Sequence, residues 1–326
     1  MKATATSPSN IAFIKYWGNR HHDLRLCWND NISMNLSNML TTTTVEFSGE
    51  FKNDSLEIAG NQVAATELAR VVNVLDLIRK KNNISHFAKV ASKNSFPIGT
   101  GLSSSASAFA ALALAASAAA GLKLSEKELS ILARRGSGSA CRSIPSGFTR
   151  WLAGCTDHKS FAVSVYPSSY WKIVDVVVLV SNFRKDIGST DGHKIAHTSP
   201  FLKTRLKNLP AKIAQINEFI KTKNFEKFGE LVESEALELH AIMITSTPSL
   251  IYLTPESIRL MKQVQSWRKE GIPVYFTLNT GQDVHLICEQ NTVAEITKKL
   301  RSLDYVKDII ENHPCAGAHL VENHLF

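Results

Sequence analysis

A run of glycine and serine residues at Pro97–Ser107 carries the strongest chemical signal in the sequence. It reads P-I-G-T-G-L-S-S-S-A-S and leads into an alanine-rich segment with helical character. Glycines let the backbone approach an anion, while a helix N-terminus supplies free N–H donors and a positive dipole. Serine hydroxyls add donors and can bind Mg²⁺. The run therefore predicts a nucleotide-phosphate site with contacts from Gly101, Ser103, Ser104, Ser105 and Ser107, and with Mg²⁺ at Ser104 and Ser105.

An ordinary capped turn before a buried helix is the competing interpretation of this run, because serine is a favoured N-cap residue. Three consecutive serines after G-T-G-L exceed what one cap needs. The run is not a Walker A loop, because no lysine follows its last glycine, and it is not the dinucleotide-binding fingerprint. A different type of phosphate loop is the preferred prediction.

Two further segments contain residues suited to binding anions. Lys15 lies inside the apolar, β-favouring segment Asn10–Gly18, and buried lysines usually have an anionic partner. A lysine extending from an edge strand into solvent is the alternative. Arg142 lies among small hydroxyl residues in Gly136–Ser143, and a guanidinium pairs bidentately with a carboxylate or phosphate. Taken alone, the second segment fits a solvated loop equally well.

Composition excludes several classes of protein. The chain has 326 residues, and its 44% apolar and 20% charged residues are ordinary for a globular protein. The five cysteines form no C-x-x-C pair, which argues against a disulfide framework and a structural zinc site. The longest apolar stretch, Ala106–Leu122, is alanine-rich and predicts a buried helix rather than a membrane span. The N-terminus shows no export signal, so we expect a cytoplasmic protein without a membrane partner.

The net charge of +8 favours anionic partners. The basic residues of the chain are scattered and lack the interleaved aromatic residues of a groove that binds single-stranded nucleic acid, so nucleic acid is not the expected partner. Small phosphorylated molecules fit the charge better.

The hydrophobic pattern predicts an α+β fold, because strands cluster early and late in the chain with helices between them. A break between two lobes is expected near residues 165–185. The predicted strands are Thr41–Phe47, Leu56–Ile58, Ile84–Ala91, Trp171–Val180, Val274–Leu278 and Val284–Glu289. The predicted helices are Ala65–Lys81, Ser104–Ala120, Glu126–Arg135, Pro255–Lys269 and Val293–Ser302, with a long helical region at Leu202–Leu239.

Taken together, three motifs resemble the diphosphomevalonate decarboxylases of the GHMP kinase superfamily. They are N-I-A-x-I-K-Y-W-G at Asn10–Gly18, F-P-x-x-x-G-L-x-S-S-A at Phe96–Ala106 and G-S-G-S-A-C-R-S at Gly136–Ser143. The resemblance implies an N-terminal lobe like the second domain of ribosomal protein S5 at residues 1–175. It also implies a ferredoxin-like C-terminal lobe at residues 176–326, and a homodimer.

The resemblance also implies a reaction. Family members use ATP and Mg²⁺ to phosphorylate the tertiary hydroxyl of a phosphorylated mevalonate, and loss of phosphate and CO₂ then gives isopentenyl diphosphate. Lys15 would neutralise charge near the reacting hydroxyl, and Arg142 would pair with the substrate carboxylate. Contacts to the substrate's own phosphate group are expected from Tyr16, Asn19, Ser137, Ser139 and Ser189.

One catalytic position departs from the family pattern. The family has an aspartate in a segment like F-D-A-G-P-N, and Asn279 takes its place here. An amide accepts a hydrogen bond but is not a useful base near neutral pH. Asp283 lies four residues further on and would need a tight turn at Gly281 to substitute. Asn279 marks either a natural variant with altered chemistry or an introduced Asp→Asn change that impairs turnover, and the second explanation is preferred from sequence.

A second departure concerns the substrate. The family commonly has Y-W-G-K, whereas this chain has Asn19 in place of the lysine, which weakens selection for a diphosphate. Arg20, His21 and His22 are candidates to replace that cation. Three alternatives therefore stay open: a phosphomevalonate decarboxylase giving isopentenyl phosphate, a mevalonate-type kinase without decarboxylation, and a silent nucleotide-binding relative. Lys15, Arg142 and the serine run together argue against the last.

Overall fold

Strands form two main sheets in the computed structural model, which describes residues 1–97, 101–181 and 188–326. Residues 98–100 of the predicted phosphate loop lie outside the described residues. The strands are β1 (Lys2–Ile14), β2 (Asn19–His21), β3 (Leu26–Cys27), β4 (Asn31–Ser48), β5 (Ser55–Ile58), β6 (Asn61–Gln62), β7 (Phe87–Asn94), β8 (Phe148–Leu152), β9 (Phe161–Tyr166), β10 (Ile173–Leu179), β11 (Val274–Thr277), β12 (Val284–Glu289), β13 (Asp308–Asn312) and β14 (His319–Val321).

The helices agree closely with the predicted ones, with two exceptions, the first of which is a helix at Ser189–Ile195 that the sequence did not predict. The predicted region Leu202–Leu239 is two helices, because Lys223 adopts a left-handed conformation and Asn224 caps the second by accepting a hydrogen bond from the Lys227 N–H. The helices are α1 (Ala65–Asn82), α2 (Ser104–Ala119), α3 (Glu126–Gly136), α4 (Ser189–Ile195), α5 (Leu202–Thr222), α6 (Phe225–Ile244), α7 (Pro255–Lys269) and α8 (Val293–Arg301).

The larger sheet is built on the long strand β4. One end of β4 pairs with β1 and β7, and its other end pairs with β1 and β8. The strand order is β14-β1-β4-β7-β5-β6, with β8 and β9 extending the sheet beside β4. Helix α2 packs on this sheet, and its alanines are almost all buried. Small side chains allow a helix to approach a sheet closely, so the start of α2 lies next to β1 and β4.

The smaller sheet is antiparallel, with the order β11-β12-β10-β13. Its central strand β10 is buried on both faces, as the valine run predicts. One face packs against α7 and α8, while the other joins α5, α6 and the end of β1 in a core around Phe13 and Phe228, whose ring centroids are 4.8 Å apart. Helices α5 and α6 therefore reach from the second sheet to the residues that follow β1.

The α+β prediction is confirmed. The division into residues 1–175 and 176–326 stays a prediction, and two strands bear on it. Strand β10 crosses the 175/176 boundary, and β14 returns near the C-terminus to pair with β1 in the first sheet. Within the described ranges, every helix is too short or too polar to cross a lipid bilayer.

Candidate active site

A cavity of about 370 Å³ lies where the start of α2, the end of β1 and the end of β11 meet. It collects side chains from segments up to 270 residues apart in sequence. The predicted site residues that line it are Lys15, Tyr16, Gly101, Ser103, Ser104, Ser105, Ser139, Arg142, Ser189 and Asn279. Three other predicted residues, Asn19, Ser107 and Ser137, are not among the lining residues.

The start of α2 leaves its first N–H groups open to the cavity. Ser103, the N-cap residue, adopts a left-handed conformation with φ 57°, and within the described part of the chain its side chain does not cap the helix. Its Oγ instead accepts a hydrogen bond of 3.0 Å from Asn279 Nδ2. An uncapped helix start facing a cavity suits a phosphate group and disfavours the ordinary capped turn.

The predicted ATP contact from Ser107 is not supported by its geometry. Ser107 is fully buried, and its hydroxyl lies 2.6 Å from Thr41 Oγ1 while donating to the Ser104 carbonyl at 3.1 Å. It therefore fixes the first turn of α2 to strand β4. Ser137 does not line the cavity itself, but its Oγ is 3.2 Å from the Oγ of Ser105, which does.

Gly101 is needed for the backbone path at the cavity edge. Its φ is +107°, and a Cβ there would lie 2.3 Å from the Cα of Gly281. We expect Gly101→Ala to weaken binding of an ATP analogue about tenfold or more, because strain of roughly 1–3 kcal/mol must be relieved by moving the loop. Calorimetric titration measures this. Gly49→Ala is the matched control, because Gly49 is exposed and a Cβ there would have its nearest neighbour 3.6 Å away. If both variants folded normally and lost the same affinity for the ATP analogue, the prediction would be contradicted.

Arg142 is a buried cation held by amide oxygens. Its Nε and Nη2 donate to Asn10 Oδ1 at 3.1 and 2.9 Å, and its Nη1 donates to Asn31 Oδ1. The side chain is 3% exposed, and within the described residues it forms no ion pair with a carboxylate. Burial lowers its pKa, yet a guanidinium stays charged at neutral pH. The arrangement leaves N–H donors for an anion in the cavity.

Lys15 is buried directly after the end of β1. Its Nζ donates to the Ala12 carbonyl at 2.6 Å, and the side chain lines the cavity. Burial lowers its pKa to about 7, and the positive charges of Arg142 and Arg205 act in the same direction. Glu235 and Asp175 oppose the shift.

A buried ion pair from the C-terminal helices holds the backbone of Lys15. Glu235 of α6 accepts a hydrogen bond of 3.1 Å from the Lys15 N–H, and Arg205 of α5 donates to the Lys15 carbonyl at 3.4 Å. Arg205 and Glu235 pair with each other at 2.8 Å. Although burial by itself raises the pKa of Glu235, Arg205 and Lys212 hold that pKa below its usual value.

Glu235→Ala is expected to lower the free energy of unfolding by about 3–5 kcal/mol, because it leaves Arg205 buried without its main partner. Glu238→Ala is the matched control, since Glu238 also pairs with Arg205 but its side chain is 36% exposed. Its expected cost is about 0–1 kcal/mol. Urea unfolding followed by circular dichroism measures the free energy of unfolding of both variants. An equal decrease in the two would contradict the role given to the buried Arg205–Glu235 ion pair.

Asn279 lies at the end of β11 between the two lobes. Besides its bond to Ser103, its Nδ2 donates to the Asn10 carbonyl at 3.4 Å, and its own carbonyl lies 3.2 Å from His240 Nε2. Since a carbonyl only accepts, His240 carries its proton on Nε2. Burial, followed by the charge of Lys15, lowers the pKa of His240 to about 4, so His240 is neutral at pH 7.

Asp283 does not replace the missing aspartate. It is 3% exposed, and its Oδ1 accepts a hydrogen bond of 3.1 Å from the Val180 N–H, away from the cavity lining. The chain does turn sharply between β11 and β12, but this turn directs Asp283 toward the end of β10.

Tyr16 and Ser189 lie on another wall of the cavity. The Tyr16 hydroxyl donates to Asn19 Oδ1 at 2.6 Å, and its ring stacks on His193 with centroids 4.2 Å apart. His193 Nδ1 accepts from the Gly18 N–H at 2.8 Å, so α4 is fixed to the segment after β1. Burial raises the pKa of Tyr16, which keeps its hydroxyl as a donor. Sequence reasoning missed His193, although it lies four residues after the predicted contact Ser189.

An apolar part of the cavity was also missed from sequence. Its walls come from β5, α1, β7 and α2, and hydroxyl and amide groups lie along one side. A flat heteroaromatic ring beside the phosphate loop suits this lining. The apolar residues are Leu56, Ile58, Val71, Val90, Phe109 and Leu112, and the polar ones are Thr43, Ser92 and Asn94. The hydrophobic pattern places the apolar positions in predicted strands and helices, with no separate signal for a site.

Two lobes, with a cavity at the start of a buried helix, define a protein of the GHMP kinase fold. The profile described as Diphosphomevalonate decarboxylase-like N-terminal domain matches residues 7–162, and that of the Mevalonate 5-diphosphate decarboxylase C-terminal domain matches residues 175–319. The chain therefore belongs to the diphosphomevalonate decarboxylase family, as its motifs predicted.

Individual relatives agree with this assignment. Diphosphomevalonate decarboxylase from Bos taurus is 34% identical, with 91% of this chain and 79% of the bovine protein covered. The solved structure of MDDEF in complex with MVAPP, AMPPCP and magnesium has a TM-score of 0.93 at 36% identity, covering 99% of both chains. Mevalonate diphosphate decarboxylase from Staphylococcus aureus gives a TM-score of 0.93 at 34% identity, covering 98% of both chains.

Serine hydroxyl groups at the start of α2 are the protein ligands for Mg²⁺ that the sequence predicts, and the carboxylate of Glu67 also lines the cavity. Ser104 and Ser105 begin α2 and line the cavity, and oxygen atoms are the ligands Mg²⁺ prefers. No group of three or more His, Cys, Asp or Glu side chains suited to a metal occurs in the described ranges. Mg²⁺ commonly takes one or two protein ligands and completes its shell with phosphate oxygens and water. The residues present fit such a site.

Proposed function

We propose that this cavity carries out the ATP-dependent decarboxylation of mevalonate diphosphate to isopentenyl diphosphate, with release of ADP, phosphate and CO₂. One observation carries the proposal. Two buried basic side chains, Lys15 and Arg142, line the same cavity as the uncapped start of α2. A phosphate-transfer site beside a carboxylate-binding arginine matches a substrate that is both phosphorylated and decarboxylated.

We assign each part of the two substrates to the region of the cavity that matches its polarity. The adenine ring of ATP occupies the apolar part, and its phosphates meet Gly101 and Ser103–Ser105 at the start of α2, with Mg²⁺ at Ser104 and Ser105. Arg142 pairs with the substrate carboxylate. Lys15 and Asn279 lie at the reacting hydroxyl. Mg²⁺ supplies charge neutralisation for the transferring phosphoryl group.

A second cavity, of about 480 Å³, supports a diphosphate over a monophosphate. It shares Thr190 with the first cavity, and it is lined by Asn19 and by the cations Arg25, Arg135 and Lys194. Arg135 pairs with Asp157 and Lys194 with Asp191, and Asp23 also lines this cavity, so Arg25 is the main group that offsets the absence of a lysine at Asn19. Of the replacements considered from sequence, His22 lines this cavity, whereas Arg20 donates to the Ala153 and Gly154 carbonyls.

Tyr16, Ser137, Ser139 and Ser189 complete the proposed contacts to the substrate's phosphate group. Tyr16, Ser139 and Ser189 line the first cavity, and Ser137 supports Ser105. We further propose a cytoplasmic homodimer that acts on a small phosphorylated molecule, with neither nucleic acid nor membrane as a partner.

Parallel assays with mevalonate diphosphate and mevalonate monophosphate test the substrate. We expect kcat/KM to be at least tenfold higher for the diphosphate, because its second phosphate reaches Arg25 and Arg135. Arg25→Gln should reduce this preference while leaving the monophosphate rate unchanged. A higher kcat/KM for the monophosphate would instead support a phosphomevalonate decarboxylase.

A further inference from the structure

Lys15 is buried, and its only close side-chain contact among the described residues is to a neutral group. Within the described part of the chain its Nζ has no carboxylate at ion-pair distance, and it donates a hydrogen bond to the neutral Ala12 carbonyl. Buried lysines are normally paired with an anion, because an isolated charge is costly to bury. Where the family has an aspartate, the cavity wall presents the amide of Asn279.

Asn279 is tied into the walls of the cavity. Its Nδ2 donates to Ser103 Oγ and to the Asn10 carbonyl, and its backbone holds His240. An amide has no lone pair basic enough to remove a proton from an alcohol at neutral pH. Asn279 can orient the α2 start, but another group must accept the proton if the hydroxyl is to attack.

The charges around Lys15 leave its amine available. Facing it are Arg142 from the 3₁₀ helix Gly138–Ser143 and Arg205 from α5, both of which disfavour the ammonium form. Glu235 of α6 and Asp175 of β10 favour the ammonium form, but Glu235 is already paired with Arg205 and Lys212, and Asp175 with His285 at 2.8 Å. His240, also on α6, is neutral. Burial is the largest influence and lowers the pKa of Lys15 to about 7.

We propose that the neutral amine of Lys15 is the general base that accepts the proton of the substrate's tertiary hydroxyl. The inference rests on the proposed function. The hydroxyl oxygen forms a bond to the γ-phosphorus of ATP, the bond from that phosphorus to the β,γ-bridging oxygen breaks, and ADP leaves. The hydroxyl proton moves to Lys15 Nζ and forms an ammonium group. That cation lies where phosphate and CO₂ subsequently depart, so the same side chain acts first as a base and then as a positive charge.

The ionisation of Lys15 is measurable without substrate or nucleotide. Trace labelling with acetic anhydride across a pH series, read by peptide mass spectrometry, reports the fraction of each lysine that is neutral. We expect a midpoint near pH 7 for Lys15, and the labelling of Lys81, whose side chain is exposed, is followed in parallel as the control. In Asn279→Asp, a carboxylate beside the amine should raise the Lys15 midpoint by one unit or more.

The pH dependence of kcat/KM gives the second readout. A lysine base is active after losing its proton, so kcat/KM should rise with pH to half its maximum near pH 7. In Asn279→Asp the half-maximum should move below pH 6, because a carboxylate can then accept the proton. A Lys15 midpoint above 9 in an active enzyme would overturn the base assignment alone. A midpoint near 7 without turnover of any mevalonate derivative would overturn the proposed function and the assignment with it.

Discussion

Lys15→Met is expected to lower kcat about 10²–10⁴-fold, the usual contribution of a general base. Methionine fills a similar volume without a basic nitrogen, so the cavity keeps its shape while the proton acceptor is lost. Lys15 is the main candidate because it lines the same cavity as Asn279, whose amide is not a base at neutral pH. Rapid-quench measurement of ADP formation at saturating substrate reports the step directly.

Testing Lys15→Met in a protein that also carries Asn279→Asp separates the role of the lysine as a base from its role as a positive charge. With an aspartate at position 279, Lys15→Met should lower kcat only about tenfold, because the carboxylate replaces the lost base and only the positive charge is missing. Lys81→Met is the matched control, since Lys81 is exposed and paired with Glu128 at the surface. An equal loss in both backgrounds would show that Lys15 acts through its charge alone.

Arg142→Gln is expected to lower kcat/KM about 10²–10³-fold, since removing one partner of a buried charge pair costs roughly 2–5 kcal/mol. The substitution keeps an amide that can bond to Asn10 and Asn31, but it removes the fork of N–H donors that a carboxylate needs. The effect should also appear as weaker binding of mevalonate diphosphate in calorimetric titration without nucleotide.

Arg259→Gln is the control for Arg142, because Arg259 is 60% exposed and pairs with Asp304 at the surface. It should leave both kcat/KM and substrate binding unchanged. If Arg142→Gln reduced the free energy of unfolding but bound substrate with normal affinity, Arg142 would be a structural residue. Arg142→Lys is informative as well, because a single ammonium cannot replace the bidentate guanidinium.

Local sequence was sufficient to predict much of this molecule. The valine run of β10 and the Thr254 cap with Pro255 at the start of α7 identify buried strand and helix without tertiary information. Three motifs were enough to identify the family and the two cations of the cavity. The motifs are recognisable because each places several residues of distinctive type within one short segment.

The supporting residues were not predictable in this way. Arg205 and Glu235 act on Lys15 from helices about 190 and 220 residues away, and nothing in their own helices separates them from surface charges. For Ser107, the position in the serine run suggests a contact with ATP, whereas its hydroxyl lies next to the hydroxyl of Thr41 instead. Such roles depend on how distant elements pack, which local sequence does not contain.

The preference for an impaired variant at Asn279 also came from local comparison alone. From the motif alone, the absence of an aspartate at position 279 means that the catalytic base is absent. The structure adds a buried amine with no carboxylate partner in the described residues, on the same cavity. The altered-chemistry explanation thereby gains a physical mechanism that the motif itself does not show.

The most direct test of the whole account is the ratio of ADP to CO₂ formed in a single turnover. The unmodified chain is mixed with ATP, Mg²⁺ and carboxyl-labelled mevalonate diphosphate at pH 8, where Lys15 is largely neutral. The account predicts one CO₂ for each ADP, with an isopentenyl diphosphate product. ADP without CO₂ would identify a mevalonate-type kinase, and the absence of both would contradict the assignment of catalysis to this cavity.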